Sequence, residues 1–223
     1  MTGTLYVVAT PIGNLEDITL RALRILKEAD LIAAEDTRRT RKLCAHYDIH
    51  TQLISYALHN EASRTDELIA AVQRGKNVAL VTDAGTPGIA DPGYLVVRAA
   101  REAGLPVVPV PGACAFIAAL SAAGIPSTRF SFVGFLPEKS GRRRALMESL
   151  AQLQQTQIFY VAKWDLSRIL KEMVAIFGVR DAMITRELTK VHEEFRAGTL
   201  EQLAGWAERE SPQGEFTLIV APS

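Results

Sequence analysis

The sequence predicts an α/β fold in two domains, a mostly parallel sheet over residues 1–112 and a mixed sheet over residues 113–223. Three observations carry this expectation. Short β-branched apolar runs alternate with helical stripes through the first half, the signature of βαβ units. The rhythm changes after the Pro-rich segment Pro106–Gly112, which sets a boundary near Pro111–Ala113. The length, 223 residues, suits one large domain or two small ones and allows about 70% of the unfolded surface to be buried.

In the first half, strands are expected at Thr4–Ala9, Leu31–Ala34, Gln52–Tyr56, Asn77–Thr82 and Val107–Val110, each bounded by polar residues, Gly or Pro. Helices are expected at 18–29, 38–47, 61–74 and 93–103. Leu20, Leu23 and Leu26 give the first its apolar stripe, and Leu68, Ile69 and Val72 give the third its own. In the second half a small-residue helix over 113–123 precedes an aromatic strand, Phe130–Phe135, and a polar loop, Leu136–Arg144. Helices at 143–154, 165–177 and 199–209 then alternate with strands at Thr156–Val161, Asp181–Thr185, His192–Arg196 and Glu215–Ala221.

Composition narrows the function classes. Lys plus Arg and Asp plus Glu are 25 each, so the chain is no general nucleic-acid coat, although one local basic patch remains compatible with an RNA enzyme. Cys44 and Cys114 have neither CxxC nor metal-type spacing, so no structural metal site and no disulfide framework is expected. Met1–Ala9 lacks a basic region and its apolar run is too short for a signal peptide. The Ala-rich stretch 113–125 is too short to span a membrane, so the expectation is a cytoplasmic protein without a membrane partner. His46, His50, His59 and His192 have no ligand spacing and read as surface or capping residues.

Three glycine-bearing loops each follow an expected strand: Thr10–Asn14, Asp83–Gly93 and Pro111–Ala113. In a parallel sheet the carboxyl ends of the strands share one edge, so these loops converge where open α/β sheets bind ligands. The second is eleven residues long with three glycines and two prolines. No dinucleotide fingerprint, P-loop, nucleophile elbow or zincin motif occurs. The edge offers carboxylates (Asp36, Asp83, Asp91) and backbone amides, which suit a ligand with cationic and hydroxyl groups.

Glu35-Asp36-Thr37-Arg38-Arg39-Thr40-Arg41-Lys42 begins at the same edge. Two carboxylates followed by four cations supply a base and a phosphate-gripping face. They read equally well as an N-cap with a solvated basic face behind it. Glu138–Arg144 is a polar loop with four cations, Lys139, Arg142, Arg143 and Arg144, and is the best local candidate for phosphate contacts.

At these loops the sequence resembles the ribosomal RNA small subunit methyltransferase I family, within the tetrapyrrole methylase-like S-adenosylmethionine-dependent methyltransferases. The resemblance rests on Leu5–Thr19, Ala34–Arg38, Thr82–Gly93, Pro111–Ala113, Phe132–Pro137 and Arg186–Lys190, and runs over nearly the whole chain. It implies two α/β domains of the tetrapyrrole methylase type, a homodimer, and a donor, S-adenosyl-L-methionine, held in the cleft between domains. It also implies 2′-O-methylation of a cytidine ribose in the decoding region of small-subunit ribosomal RNA, either free or in the 30S subunit. By matched motif, Pro11 and Gly13 sit in the first donor loop, while Asp83, Ala84, Gly85, Thr86, Ile89 and Ala90 fill the second. Cys114 and Ala115 follow the Pro-Gly turn, and Val161 and Leu188 line the donor from the second domain. One departure is plain. The family usually carries Glu-Ser-Pro-His-Arg after its Phe-Tyr pair, whereas Phe159-Tyr160 here leads into Val161-Ala162-Lys163-Trp164-Asp165-Leu166-Ser167-Arg168, read as a longer loop.

The chemistry expected of the resemblance needs no metal. Asp36 is the first candidate base and Glu187 the second, with Lys190 placed to orient the ribose or pair with a carboxylate. Arg38, Arg39, Arg41, Lys42, Lys139, Arg142, Arg143 and Arg144 are assigned to RNA phosphates. A small-molecule, tetrapyrrole-type methyltransferase and a non-catalytic donor-binding module are the alternative readings.

Overall fold

The computed structural model describes residues 2–223; Met1, the first residue of the expected N-terminal run, lies outside the described residues. The chain divides into two compact units, Met1–Cys114 and Ala115–Ser223.

The first unit is a parallel sheet of β1 (Leu5–Val8), β2 (Leu31–Ala34), β3 (Leu53–Ser55), β4 (Val78–Val81) and β5 (Val107–Val110), in the order β3-β2-β4-β1-β5. Four helices cross between them: α1 (Leu20–Glu28), α2 (Thr37–His46), α3 (Glu61–Gln73) and α4 (Tyr94–Glu102). Both faces of the sheet are covered, so neighbouring residues of one strand enter different cores. Leu31, Ala33, Val78 and Leu80 pack with Leu68, Val72 and Val96 of α3 and α4. Ile32, Ala34, Ala79 and Val81 pack with Ala22, Ile25, Leu26 and Cys44 of α1 and α2. This two-sided burial explains why these strands read as continuous apolar runs. The sequence reading passed over a short 3₁₀ turn at Leu15–Asp17, capped by the Asn14 side chain accepting from the Glu16 N–H at 3.1 Å.

The second unit is a mixed sheet in the order β6-β7-β10-β8-β9. Its strands are β6 (Phe130–Phe135), β7 (Thr156–Ala162), β8 (Asp181–Arg186), β9 (Glu194–Thr199) and β10 (Glu215–Val220). β6 and β7 are parallel and the other pairs antiparallel. One face carries α6 (Ser140–Ala151), α7 (Leu166–Phe177) and α8 (Leu200–Glu210), which close over Phe159, Val161, Ile184 and Leu218. α5 (Ala115–Ala122) packs on β7 and β10. Phe116 of α5 stacks on Phe132 at 4.2 Å, and Phe132 meets Tyr160 edge-on at 5.0 Å.

Three expectations need correction. The loop expected over Leu136–Arg144 ends at Lys139, because α6 starts at Ser140, three residues before the expected helix. The cause is Arg143, which turns inward rather than toward solvent. The ninth strand starts at Glu194 rather than His192, since a turn closes first with the Glu193 N–H donating to the Lys190 carbonyl at 3.1 Å. The longer loop expected over Val161–Arg168 is a three-residue turn, Lys163–Asp165, because Val161 and Ala162 finish β7 and Leu166 opens α7. No helix among the described residues is long and apolar enough to cross a membrane.

Candidate active site

At the carboxyl edge of the first unit, the loops after β1, β4 and β5 are joined to one another. Thr10 and Gly85 exchange two backbone hydrogen bonds, at 2.8 and 3.0 Å, outside the regular ladder. The Thr10 hydroxyl donates to the Thr82 carbonyl at 3.2 Å, and the Thr86 hydroxyl to the Ala113 carbonyl at 3.2 Å. Gly112 lies so close to Ala9 that a Cβ on it would sit 3.0 Å from the Ala9 Cβ. The three glycine loops therefore form one backbone-lined platform, with Pro11 and Ala84 beside its central bridge.

The long loop closes on itself. The Gly88 N–H donates to the Pro92 carbonyl at 3.1 Å and the Ile89 N–H to Thr86 at 3.2 Å, while Ala90 takes a positive φ of 63°. Gly93 has φ 144°, and a Cβ there would stand 2.9 Å from the Gly88 nitrogen, so only glycine fits without movement. Sequence reasoning missed what anchors this loop. Buried Glu61 accepts from the Gly93 N–H at 2.9 Å and from the Tyr56 hydroxyl at 3.1 Å, and that same hydroxyl accepts from the Val96 N–H at 3.2 Å. Nothing in the sequence marks Glu61 except an acid opening a helix, a pattern found on any surface helix.

Four carboxylates gather beside the platform. The Asp83 N–H donates to Glu35 at 3.2 Å, and Asp83 in turn accepts from the Asp36 N–H at 3.0 Å. Arg39 reaches Asp83 at 3.3 Å. Asp36 caps α2 by accepting from the Arg38 N–H at 2.8 Å and takes a two-pronged guanidinium contact from Arg38, at 2.7 and 3.0 Å. The Arg38 side chain and its backbone N–H together hold the Asp36 carboxyl far below the usual carboxylate range. Asp36 is thus the N-cap of α2 and an ionised carboxylate held by Arg38. Asp91 is different. Burial, then the charges of Glu35 and Asp83, push its carboxyl up to about 6. Burial also raises Glu35, against the Asp83 N–H that favours its charge. Next to this cluster is a hollow of ≈ 180 Å³ lined by Thr10, Pro11, Leu15, Arg39, Lys42 and Asp83. Gly13 lies in the β1 loop that leads into the 3₁₀ turn, outside that lining. No His, Cys, Asp and Glu group among the described residues is arranged to hold a metal ion.

The remaining expected site residues are Cys114, Ala115, Val161, Glu187, Leu188 and Lys190. Cys114 ends the first unit and Ala115 opens α5. Within the second unit, Val161 is buried in the core beneath α6–α8 and lies in register with Phe216 of β10. Leu188 is buried between Glu187 and Thr189, both at positive φ (49° and 65°). Glu187 and Lys190 are brought together: Lys190 donates to Glu187 at 3.2 Å and to Glu215 at 2.8 Å, and the Glu215 N–H donates to Glu187 at 2.8 Å. Burial works against the Glu187 charge, but the Glu215 N–H and Lys190 outweigh it and hold the carboxyl below its ordinary value. These contacts hold the loop in its strained form.

Among the expected phosphate contacts, Arg143 is a correction. Its side chain is 2% exposed, donating to Glu172 twice at 2.7 Å and to the Pro137 and Glu138 carbonyls at 3.1 and 2.7 Å. A guanidinium with four such acceptors pins the β6–α6 connection and has no face left for a phosphate. Arg38, Arg39 and Arg144 are exposed but paired, with Asp36, Asp83 and Glu148. Arg41, Lys42, Lys139 and Arg142 are exposed and, among the described residues, make no ion pair.

The fold and this edge define a class, and the comparisons agree with it: residues 4–204 match the family Tetrapyrrole (Corrin/Porphyrin) Methylases. Two solved structures from Thermus thermophilus share the architecture. A uroporphyrin-III-C-methyltransferase has a TM-score of 0.68 at 25% identity, over 98% of this chain and 94% of that one. A uroporphyrin-III C-methyltransferase complexed with S-adenosyl homocysteine has a TM-score of 0.69 at 19% identity, over 98% and 97%. Sequence relatives are nearer. The ribosomal RNA small subunit methyltransferase I of Halalkalibacterium halodurans is 51% identical over 98% of this chain and 75% of its own length. That of Synechocystis sp. is 50% identical over 98% and 79%. The chain belongs to the ribosomal RNA small subunit methyltransferase I family and is a methyltransferase of the tetrapyrrole methylase fold.

Proposed function

We propose that this protein methylates the 2′-oxygen of a cytidine ribose in the decoding region of small-subunit ribosomal RNA, acting as a cytoplasmic homodimer on free RNA or on the 30S subunit. The methyl donor is S-adenosyl-L-methionine, and its sulfonium supplies an already activated methyl group. The observation that carries the reading is the joined platform of Thr10, Gly85 and Gly112 beside an acidic edge. Backbone groups of the Pro11–Gly13 and Ala84–Ala90 loops suit a polar ligand, although Pro11 and Pro87 offer carbonyls alone and the Gly85, Gly88 and Ile89 N–H groups are bonded within the loops. Glu35, Asp83 and Asp91 set a negative potential suited to a cation. Cys114, Ala115, Val161 and Leu188 complete the donor's surroundings in this proposal.

Rate then depends on orientation and on a proton acceptor. Holding the acceptor oxygen in line with the methyl carbon is worth about 7–11 kcal/mol, and a placed base adds about 10²–10⁴-fold. Asp36 keeps its charge at any working pH, but Arg38 makes it a weak proton acceptor. Asp91, at about 6, has the basicity suited to neutral pH. We assign the proton to Asp91, with Asp36 as the ionised carboxylate that positions Arg38, and Glu187 and Lys190 as the clamp on the loop bearing Leu188. Arg41, Lys42, Lys139 and Arg142 face RNA phosphates. Labelled S-adenosylmethionine incubated with undermethylated small subunits tests this reading. Label in the RNA is expected; label in an added tetrapyrrole but not in RNA would replace the reading with the small-molecule one.

A further inference from the structure

Trp164 has 77% of its surface exposed, on the turn between β7 and α7. The chain's other tryptophan, Trp206, is 4% exposed and lies under the Arg196 guanidinium, 4.5 Å away. Leaving a large ring in water forgoes its burial energy, so an exposed indole on a hydrogen-bonded turn asks for an occupant. Trp164 is held by a tight turn. The Asp165 N–H donates to the Ala162 carbonyl at 2.9 Å, the Ile169 N–H donates to the Asp165 carbonyl at 2.8 Å, and Arg168 pairs with the Asp165 side chain. The Lys163 ammonium stands 4.7 Å from the ring centroid and takes one face.

The neighbours say what kind of occupant fits. β6 and β7 are parallel, so the segment after β6, carrying Lys139 and Arg142, leaves the sheet at the same edge as this turn. Phe135 ends β6, is 61% exposed, and lies in register with Tyr160, 5.6 Å ring to ring. Lys139, Arg142 and Lys163 make no ion pair among the described residues, whereas Asp165 and Glu172 are neutralised by Arg168 and Arg143. Glu138 is an exposed acid of this edge, and Glu215, in register with Ala162, is paired with Lys190 at 2.8 Å. Flat aromatic surfaces set among unpaired cations are the pattern that binds unpaired nucleic acid. A protein partner would call for a continuous apolar patch, and the residues flanking Trp164 are Lys163 and Asp165.

We propose that Trp164, with Lys163 on one face, is a stacking platform for an unpaired base of the RNA substrate, with Lys139 and Arg142 on the flanking phosphates. The proposal rests on the RNA-methyltransferase reading above and names a contact of that substrate. The exposed ring can be changed without disturbing the core. The probe is a short single-stranded oligoribonucleotide of mixed sequence, followed by tryptophan emission and anisotropy at fixed salt. Binding should quench the emission of the native protein, and Trp164→Ala should abolish the quench. The same variant should weaken RNA binding about ten-fold, with Trp164→Phe restoring most of it. In methyl transfer, Trp164→Ala should raise KM for RNA with kcat and donor affinity held. Unchanged RNA affinity and KM in Trp164→Ala, or a loss that Trp164→Phe does not restore, would overturn the platform. If the native protein methylates RNA and Trp164→Ala matches it, the platform fails while the methyltransferase reading stands. If the native protein transfers no methyl group yet binds the oligonucleotide through Trp164, that reading fails and the platform stands.

Discussion

Asp91 is the residue on which the proposed proton transfer turns, and it makes a sign-definite prediction. Its folded carboxyl titrates at about 6 against an ordinary 3.8, so the folded state holds its proton more tightly than the unfolded chain. Stability from this group is present below the unfolded value and is lost as pH rises through about 6. Asp91→Asn should therefore stabilise the protein by about 1 kcal/mol at pH 7.5, allowing for the solvent the group keeps, and by about half as much at pH 5. Thermal denaturation at the two pH values checks this. Activity moves the other way. Turnover should fall as pH drops through about 6, and Asp91→Asn should lose about 10²–10⁴-fold at neutral pH with donor binding by calorimetry intact. Asp36→Asn matching that loss while Asp91→Asn keeps full turnover would return the base to Asp36. Asp36 was legible as a candidate because it follows a strand at the ligand edge. Its partner Arg38 was legible only as part of a charge run, so the contact that weakens its basicity could not be read from spacing.

At the scale of elements, the strands of the first unit were readable because both faces of the sheet are buried. Val78–Val81 has no polar position to confuse the pattern. The start of α6 was not, and the reason is physical. Ser140-Gly141-Arg142-Arg143-Arg144 has the composition of a solvated loop, and only the fold shows that its middle arginine turns inward to meet Glu172. Removing that guanidinium leaves Glu172 and two carbonyls without their donor. Arg143→Ala should cost about 3 kcal/mol in urea denaturation, the low end for breaking a buried pair because Glu172 keeps some solvent. Arg143→Lys should recover little of it, since an ammonium cannot make the two-pronged contact. If Arg143→Ala left stability unchanged and weakened RNA binding, the original phosphate assignment would be right. The strained Glu187–Thr189 segment was likewise visible as a motif but not as a clamp, because the Lys190 and Glu215 contacts join residues 25 to 28 positions apart.

For the whole molecule, a formal net charge of zero argues against unspecific RNA affinity, so binding must come from a few unpaired cations. Replacing Arg41, Lys42, Lys139 and Arg142 together by Gln should weaken RNA binding and flatten the dependence of log affinity on log salt by about 3, since each phosphate contact contributes about 0.7–0.9. Replacing the paired Arg24 and Arg98, which are bound to Glu28 and Glu102, should leave the slope unchanged. The two-unit α/β class could be read from the alternation of elements. The target atom could not, since sugar, base and small-molecule acceptors all suit an edge of glycine loops and carboxylates. The measurement that bears on it most directly is nucleoside analysis of undermethylated small-subunit RNA after reaction with labelled S-adenosylmethionine, run with the native protein and with Asp91→Asn. Label in 2′-O-methylcytidine with the native protein and its loss in the variant is the expected result. Label in a methylated base, or none in RNA while the donor still binds, would contradict ribose methylation as the function of this fold.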